Sequence, residues 1–393
     1  MSAPGYDLQL DAIRSGYDGE TCWTQARAGV IPEGGEDMQP AVVVTMQKLL
    51  LSASDVFWGL NEMRTDDMGQ TWRGPVKHGT LARRDEPEGI EVVFNDAEPM
   101  WHAHTGKLLA TGHCARYIGD KLMPDPRPRQ VSYAVYNARD RAWEPWKTLD
   151  MPDEERFFSA GSGSAQRVDL PDGTILLPVY YRPPTDDSWS TCAYSSVIHC
   201  DFDGHELRFL QIGDELTVPE PRGLCEPSLT WFQGRYYLTM RNDERGYVSA
   251  GDDGLRFSDP EPWRFDDGEE LGSYNTQQHW ITHSDALYLV YTRRGLDNDH
   301  VMRNRAPLVM AQVDPDSLRV IRETEKIMVP ERGARLGNFS TTTVNADESW
   351  IIAAEWMQPA GCEKHGSDNT VWAARIKWHE PNRILDGEDP RPA

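Results

Sequence analysis

The chain of 393 residues has no CxxC pair, no run of about 18 apolar residues and no basic excess, and each lack excludes something. Its six cysteines (Cys22, Cys114, Cys192, Cys200, Cys225 and Cys362) have neither metal-knuckle nor redox-motif spacing. The opening residues, MSAPGYDLQLDAIRSGYDG, show no basic segment leading into an apolar core. Free thiols and a cytoplasmic location are therefore expected, and no membrane span. Lysine and arginine total 40 against 63 acids, a net charge of −23. That argues against a nucleic-acid partner, which needs a basic stripe, and against a long polyanion spread over a wide surface. A few local arginines can still hold one anionic group in a pocket. Long stretches of helical period are missing too. DAIRSG and DPDSLRVI read at most as short turns of helix.

What is present is strand and turn. Glycine (32) and proline (27) are spread along the chain, and 14 tryptophans and 14 tyrosines supply core material. VFWGL, GTILLPVYY, RYYLTM, ALYLVY and SWIIAAEW are rich in β-branched and aromatic residues and bounded by turns. A strand–turn–strand unit recurs with anchors at residues 39, 98, 162, 226, 278 and 339, steps of 59, 64, 64, 52 and 61. Six copies of a four-stranded unit arranged radially make an all-β, six-bladed β-propeller, with seven blades the alternative count. Residues 1–385 form one domain on this reading. Residues 1–32 add strand to the last blade and close the ring, and 386–393 are a disordered tail.

The stretch RTDDMGQTW, Arg64 to Trp72, concentrates turn chemistry. Asp67 can accept from backbone N–H groups further on, Gly69 tolerates positive φ, and Thr65 and Thr71 can close the turn from both sides. Thr-x-Asp-x-Gly-x-Thr-Trp resembles the Asp box of sialidases and their relatives. A worn copy, AGDDGLRF, has Asp252, Gly254 and Phe257 in the matching places. The resemblance implies a structural role in an outer turn, away from the active face, and a sialidase-like propeller over roughly residues 39–356.

In a propeller the starts of the inner strands converge on one end of the axial channel. The anchors then bring together Gln39, Glu98, Ser162, Glu226, Gln278 with His279, and Asn338 with Phe339. CEPSL followed by YYLTMR resembles the sialidase segment in which a glutamate opens one strand and an arginine closes the next. That implies a catalytic Glu226 and a carboxylate-binding Arg241; the bland alternative is an ion pair pinning two strands. Arg305, or Arg303 on the same strand face, stands where a second carboxylate-binding arginine is expected, because a guanidinium binds a carboxylate through two parallel bonds. Two departures stand against an ordinary retaining sialidase. Gln39-Pro40 occupies the place of the family's Arg-Ile-Pro, with Arg27 reaching in from a preceding loop as its substitute. Phe339 occupies the place of the tyrosine nucleophile.

Three chemistries fit this address. The first is hydrolysis by two carboxylates, Glu226 with Glu98, or with Asp96 in place of Glu98. It would act at the end of a short oligosaccharide carrying an acidic sugar. Gln39, Gln278, His102, Phe339 and Trp280 would line the site, and His279 would transfer protons. The second is β-elimination on a uronic acid, drawing on His279, His102, Tyr117, Tyr133 and Arg241. The third is a glycan-binding propeller without catalysis, with Trp101, Trp280 and Trp356 stacking on sugar rings; for most tryptophans core packing is the simpler role. No cofactor is expected. A divalent metal held by Glu98, His102 and His104, where the two histidines share a strand face, is the minor alternative.

Overall fold

A computed structural model describes residues 4–53 and 55–385. The proposed tail, 386–393, lies outside the described residues. Runs of β-branched and aromatic residues between glycine- and aspartate-containing turns fold into six antiparallel sheets. Among the described residues there is no α-helix, only 3-10 turns of three or four residues. The segment 11–14, read above as a turn of helix, is strand.

The six sheets are blades around a common axis, numbered here in chain order. Blade I runs outward through Thr21–Ile31, Ala41–Leu50, Asn61–Thr65 and Arg73–Lys77. In blade II, Ile90–His102 is innermost, followed by Lys107–Ile118 and Val131–Asn137. Blade III has a broken inner strand, Ser159–Gly161 and Val168–Asp169, paired with Ile175–Arg182. Blade IV begins with Cys225–Phe232 and Arg235–Arg241, and blade V with His279–His283 and Ala286–Tyr291. Blade VI takes three strands from the C-terminal end, Phe339–Thr343, Glu348–Ala354 and Val371–Trp378. Its fourth is Tyr6–Arg14, whose pairing with Val371–Trp378 closes the ring.

The expectation for residues 1–32 thus divides. Residues 6–14 complete blade VI as expected, but Thr21–Ile31 is the inner strand of blade I. The Gln39 anchor is one strand too late. Gln39 is exposed in the loop between the first two strands of blade I, at the far end of the ring from the other anchors. QPAVVV looks like the opener of a unit because it is a cleaner strand than TCWTQARAGVI, whose alternation is broken in the middle.

That break recurs and shapes the molecule. In blades I, II and IV two inner-strand residues face one on the neighbouring strand, at Gln25–Ala26, Asp96–Ala97 and Glu226–Pro227. This is a β-bulge, which re-aims a side chain and bends the strand. The first residue of each has positive φ, +51° at Gln25, +55° at Asp96 and +48° at Glu226. Ser164, in the gap of blade III's inner strand, has +58°. These four residues are structurally equivalent and point at the axis.

The turn at Asp67 joins the third and fourth strands of blade I, on the face opposite Glu226. Asp67 accepts from the Thr71 amide at 2.9 Å and from the Thr71 and Thr65 hydroxyls at 2.6 and 2.8 Å, which hold its carboxyl down at about 2. In blade IV the equivalent bonds go to Asp253, from the amides of Leu255 and Arg256, and not to Asp252, one residue earlier. We expect Asp67→Ala to destabilise the fold by about 1–2 kcal/mol. Denaturant unfolding checks this, and no loss relative to a Thr→Ser control on an outer strand would contradict it.

Candidate active site

The end of the channel at which the bulges open is lined by two layers of polar side chains. The deeper layer is organised by Arg27, whose side chain is 0% exposed. It does not reach in from a loop; it projects from the inner strand of blade I, immediately after the Gln25–Ala26 bulge. Its guanidinium donates to Asp96 of blade II, to Ser164 Oγ of blade III at 2.9 Å, to Gln277 Oε1 beside blade V at 2.9 Å, and to the Phe339 carbonyl of blade VI. Ser164 passes its own hydroxyl hydrogen to Asp96. One side chain thereby ties five blades.

Glu98 lies 3.6 Å from Arg27, buried, with Oε2 unbonded. Burial pushes its carboxyl up to about 8; Arg27 opposes this, and the Asp96 charge adds to it. The reason is stoichiometric. Arg27 carries one charge, and Asp96 already accepts two of its N–H groups. A proton on Glu98 leaves the trio neutral. Glu98 is thus sealed beneath the mouth and does not face Glu226 across it. His279 is buried in the same layer, bonded to Ser228 Oγ at 2.7 Å and to the Gln277 amide nitrogen at 2.7 Å, with the Phe339 ring edge-on at 5.1 Å. Burial and the nearby Arg27 charge hold it neutral. Phe339 and Trp280 are buried, and the Trp280 indole donates to the Ser228 carbonyl, joining blades V and IV. Gln278 accepts from Thr239 of blade IV and donates to Ser273 in the loop entering blade V.

The upper layer is cationic, and its Arg241, Arg305 and Arg335 are buried. Arg241 ends the second strand of blade IV and donates to Glu226 at 2.6 Å and to Asn275 Oδ1 at 3.0 Å. Burial alone would raise the Glu226 carboxyl; the charge and hydrogen bond of Arg241 outweigh it and hold Glu226 ionised, below its ordinary range. Arg305 is 4% exposed and donates to Asn275 and to Asn338 Oδ1. Arg303 does not share a strand face with it. It sits in the 3-10 turn Met302–Asn304 with φ +60°. Arg335, which no repeat anchor or motif singles out, completes the group. Burial comes first and the neighbouring guanidiniums second in pulling Arg305 well below its usual range, and Arg335 down to about 10. The Nε atoms of Arg241, Arg305 and Arg335 are buried without a partner. Acids are few here: Glu226, Asp243 at 3.2 Å from Arg241, and Asp55 on the blade I loop, whose charge acts on both Arg303 and Arg335.

Two further groups face Glu226 from blades II and III. The Tyr180 phenol accepts from Arg129 at 3.1 Å, and its pKa is raised by burial and by the Glu226 charge against the pull of Arg129. The His113 ring meets Tyr180 edge-on at 6.4 Å. Its Nδ1 is buried and unbonded, and burial with the Arg129 charge holds it neutral. A side chain at Gly163 would collide with it, so the strand gap of blade III makes room for this histidine.

The other residues named from sequence lie elsewhere. His102 and His104 sit at the far end of blade II. Both ring nitrogens of His102 are engaged, with Thr105 at 2.8 Å and the Gly173 carbonyl at 2.9 Å. That strand separates them from Glu98, and among the described residues no group of three or more His, Cys, Asp or Glu is arranged to hold a metal. Tyr117 is buried against Phe57 and the Asp55 carbonyl, and Tyr133 donates to Glu206 in an outer turn of blade III.

No protein-family model and no curated protein matches the sequence. Solved structures do match in fold. A Hadza microbial sialidase, Hz136, is 12% identical over 94% of this chain and 68% of its own, with a TM-score of 0.63. Trypanosoma rangeli sialidase, in complex with the inhibitor DANA, is 12% identical over 95% of this chain and 60% of its own, TM-score 0.62. The K499G mutant of NanB sialidase from Streptococcus pneumoniae is 10% identical over 94% and 70%, TM-score 0.62. The chain thus has a sialidase-like fold and spans 60–70% of the length of these structures.

The Arg27 trio makes two predictions. Arg27→Met leaves Asp96 buried and uncompensated and costs about 3–5 kcal/mol. Glu98→Gln acts in the other direction and depends on pH. The folded protein keeps a proton on Glu98 that the unfolded chain gives up above about 4.5, so stability falls as pH rises toward 8. Glu98→Gln therefore stabilises the protein at pH 8 and is neutral near pH 4. Melting curves at the two pH values check this; an equal effect at both would contradict it.

Proposed function

We propose that the protein is a carbohydrate-active enzyme that hydrolyses the terminal acidic sugar from a short oligosaccharide. The observation that carries this is the cationic excess at the mouth. Arg241, Arg305 and Arg335, each with a buried and unpartnered Nε–H, converge with Arg303 around few carboxylates, in a protein whose net charge is −23. Mutual repulsion of this kind is costly unless an anion completes it. A sugar carboxylate on the Arg241 and Arg305 forks supplies that charge.

Hydrolysis needs two carboxylates flanking the bond. Glu226 is one, kept ionised by Arg241. Asp55 on the blade I loop is the other; blades I and IV are opposite in a ring of six. Asp55 protonates the leaving oxygen, and Glu226 takes the proton from the attacking oxygen, which is water or the Tyr180 phenol. Retention of configuration would assign the attack to Tyr180, and inversion would assign it to water. Glu98 and His279 support this layer from below.

A second reading rests on a separate observation, the unbonded His113 Nδ1 beside Tyr180. A neutral imidazole and a phenol next to a carboxylate-binding arginine also suit β-elimination on a uronic acid. His113 would remove the C5 proton and Tyr180 would protonate the departing oxygen. These two replace His279, His102, Tyr117 and Tyr133 in that scheme.

The test is turnover on oligosaccharides capped by sialic or uronic acids, followed by mass spectrometry and ultraviolet absorbance. Hydrolysis predicts release of the sugar with added water and no new absorbance. It also predicts that Glu226→Gln and Asp55→Asn each lower kcat about 10²- to 10⁴-fold, and that Arg241→Met raises KM. Products lacking one water, with rising absorbance lost in His113→Ala, would replace hydrolysis by elimination. Binding without any product, unchanged by Glu226→Gln, would contradict both.

A further inference from the structure

The cationic surface does not stop at the carboxylate site. It continues over blades II, III and IV into a second cluster formed by Arg127, Arg129, Arg182 and Arg222. We infer that this cluster is a second anion subsite, so that the substrate bears acidic groups on two neighbouring sugar residues. The inference rests on the reading of Arg241 and Arg305 as the site of the terminal acidic sugar.

The four guanidiniums have little to neutralise them. Arg182 ends the second strand of blade III and donates only to the Ser188 carbonyl, at 3.2 Å. Arg129 is spent on Tyr180, through its hydroxyl and over its ring at 4.4 Å. Among the described residues neither pairs with a carboxylate. Arg127 lies 3.5 Å from Asp125, and Arg222 lies 3.6 Å from Asp243, which Arg241 already shares. Burial, with the charges of Arg129, Arg222 and Arg127, brings Arg182 down to about 10 against the single opposing effect of Asp125. Four cations against Asp125, a share of Asp243 and the charge of Asp55, which also acts on Arg127, leave a deficit that one further anionic group would fill.

The cluster is also built, in the sense that separate loops are tied into one wall. The Ser188 amide donates to Asp125 at 3.2 Å, joining the blade II and blade III loops. The Ala193 amide donates to the Arg222 carbonyl at 2.8 Å, and Thr217 donates to the Ala193 carbonyl at 2.9 Å, joining blade III to the loop entering blade IV. Arg222 is held at φ +69°, a conformation that surrounding structure must enforce. Its guanidinium lies 4.6 Å from the ring of Trp189, which is 57% exposed on the rim. An exposed indole beside half-buried arginines offers a sugar ring a flat face and its acidic substituent a fork.

The two clusters are continuous. Arg129 and Tyr180 join them on one side of Glu226, and Arg222 and Asp243 on the other. A chain whose terminal acidic sugar occupies the Arg241–Arg305 site would lay its next residue against Trp189 and Arg182. The group recognised there is a carboxylate or a sulfate ester, since both present oxygens to a guanidinium fork.

Titration calorimetry at low salt with matched ligands tests this. The ligands are disialic acid against sialyllactose, and a diuronic acid against the same disaccharide reduced to a neutral hexose at its second residue. A third form of the latter carries a sulfate on the neutral hexose. We expect the doubly acidic member of one series to bind about tenfold tighter than its singly acidic partner. Whether the carboxylate or the sulfate form gains more identifies the group. Arg182→Gln with Arg127→Gln should abolish the gain and leave the singly acidic ligand bound as before. Arg182→Gln alone, which removes a side-chain bond to the Ser188 carbonyl, gives the same comparison should the double variant fail to fold. Equal binding of singly and doubly acidic ligands, or a gain that survives these substitutions, overturns the second subsite alone. Failure of every acidic ligand to bind overturns the Arg241–Arg305 reading and this one with it.

Discussion

The molecule depends on one guanidinium in the wrong place for solvent. Arg27 is fully buried on the axis and spends its N–H groups on four other blades. Neighbouring blades also share backbone bonds, such as that from the Leu229 amide to the Gln166 carbonyl at 3.0 Å, but a bond between two neighbours does not join five blades at the centre. A planar, multidentate donor that is always charged can do so, where a lysine could not. Asp96 balances the charge, and Glu98 takes the proton that Arg27 cannot offset. The site above inherits its geometry from this plug. Asp96 and Glu226 occupy bulges and Ser164 the equivalent strand gap, all at positive φ, and Arg27 binds Asp96 and Ser164 directly.

The bulge explains why one framework supports both layers. The inner strands of blades I to IV each meet the axis with a residue at positive φ, and two residues further on present a second side chain deeper in the channel. Gln25 is followed by Arg27, Asp96 by Glu98, Ser164 by Gln166 and Glu226 by Ser228. Where the first member is a glutamate beside an arginine, the pair faces the mouth. Where it is an aspartate beside Arg27, it becomes structural. The same local geometry thus separates a group held ionised at the mouth from groups spent on closure.

Much of this is legible in the amino-acid sequence alone, and the departures have a common cause. Strand composition and recurrence point to six blades, and the Glu226–Arg241 pairing follows from one strand opening as the next closes. Blade register is harder. Glu98-Pro99 looks like Glu226-Pro227, yet the equivalent of Glu226 is Asp96, because the bulge inserts a residue that no alternation pattern displays. A shift of two residues preserves which face a side chain takes, so Glu98 falls on the axis but one layer too deep. A signal for the bulge does exist, in the triplet of polar, small and polar residues at Gln25-Ala26-Arg27, Asp96-Ala97-Glu98, Ser164-Ala165-Gln166 and Glu226-Pro227-Ser228. Tyr180, His113, Asp55 and Arg335 cannot be found that way. They come from second strands and loops, and only the ring brings them to Glu226.

The central claim is that the mouth beside Glu226 recognises a sugar by its carboxylate. Titration of the protein with a free acidic monosaccharide and with its methyl ester measures this without any assumption about the reaction. The ester keeps the ring and its hydroxyls and removes the charge. Binding of the acid, at least about tenfold weaker for the ester, is the predicted result. Equal affinity for acid and ester would mean that the arginines serve the fold and not the ligand, and would contradict the account.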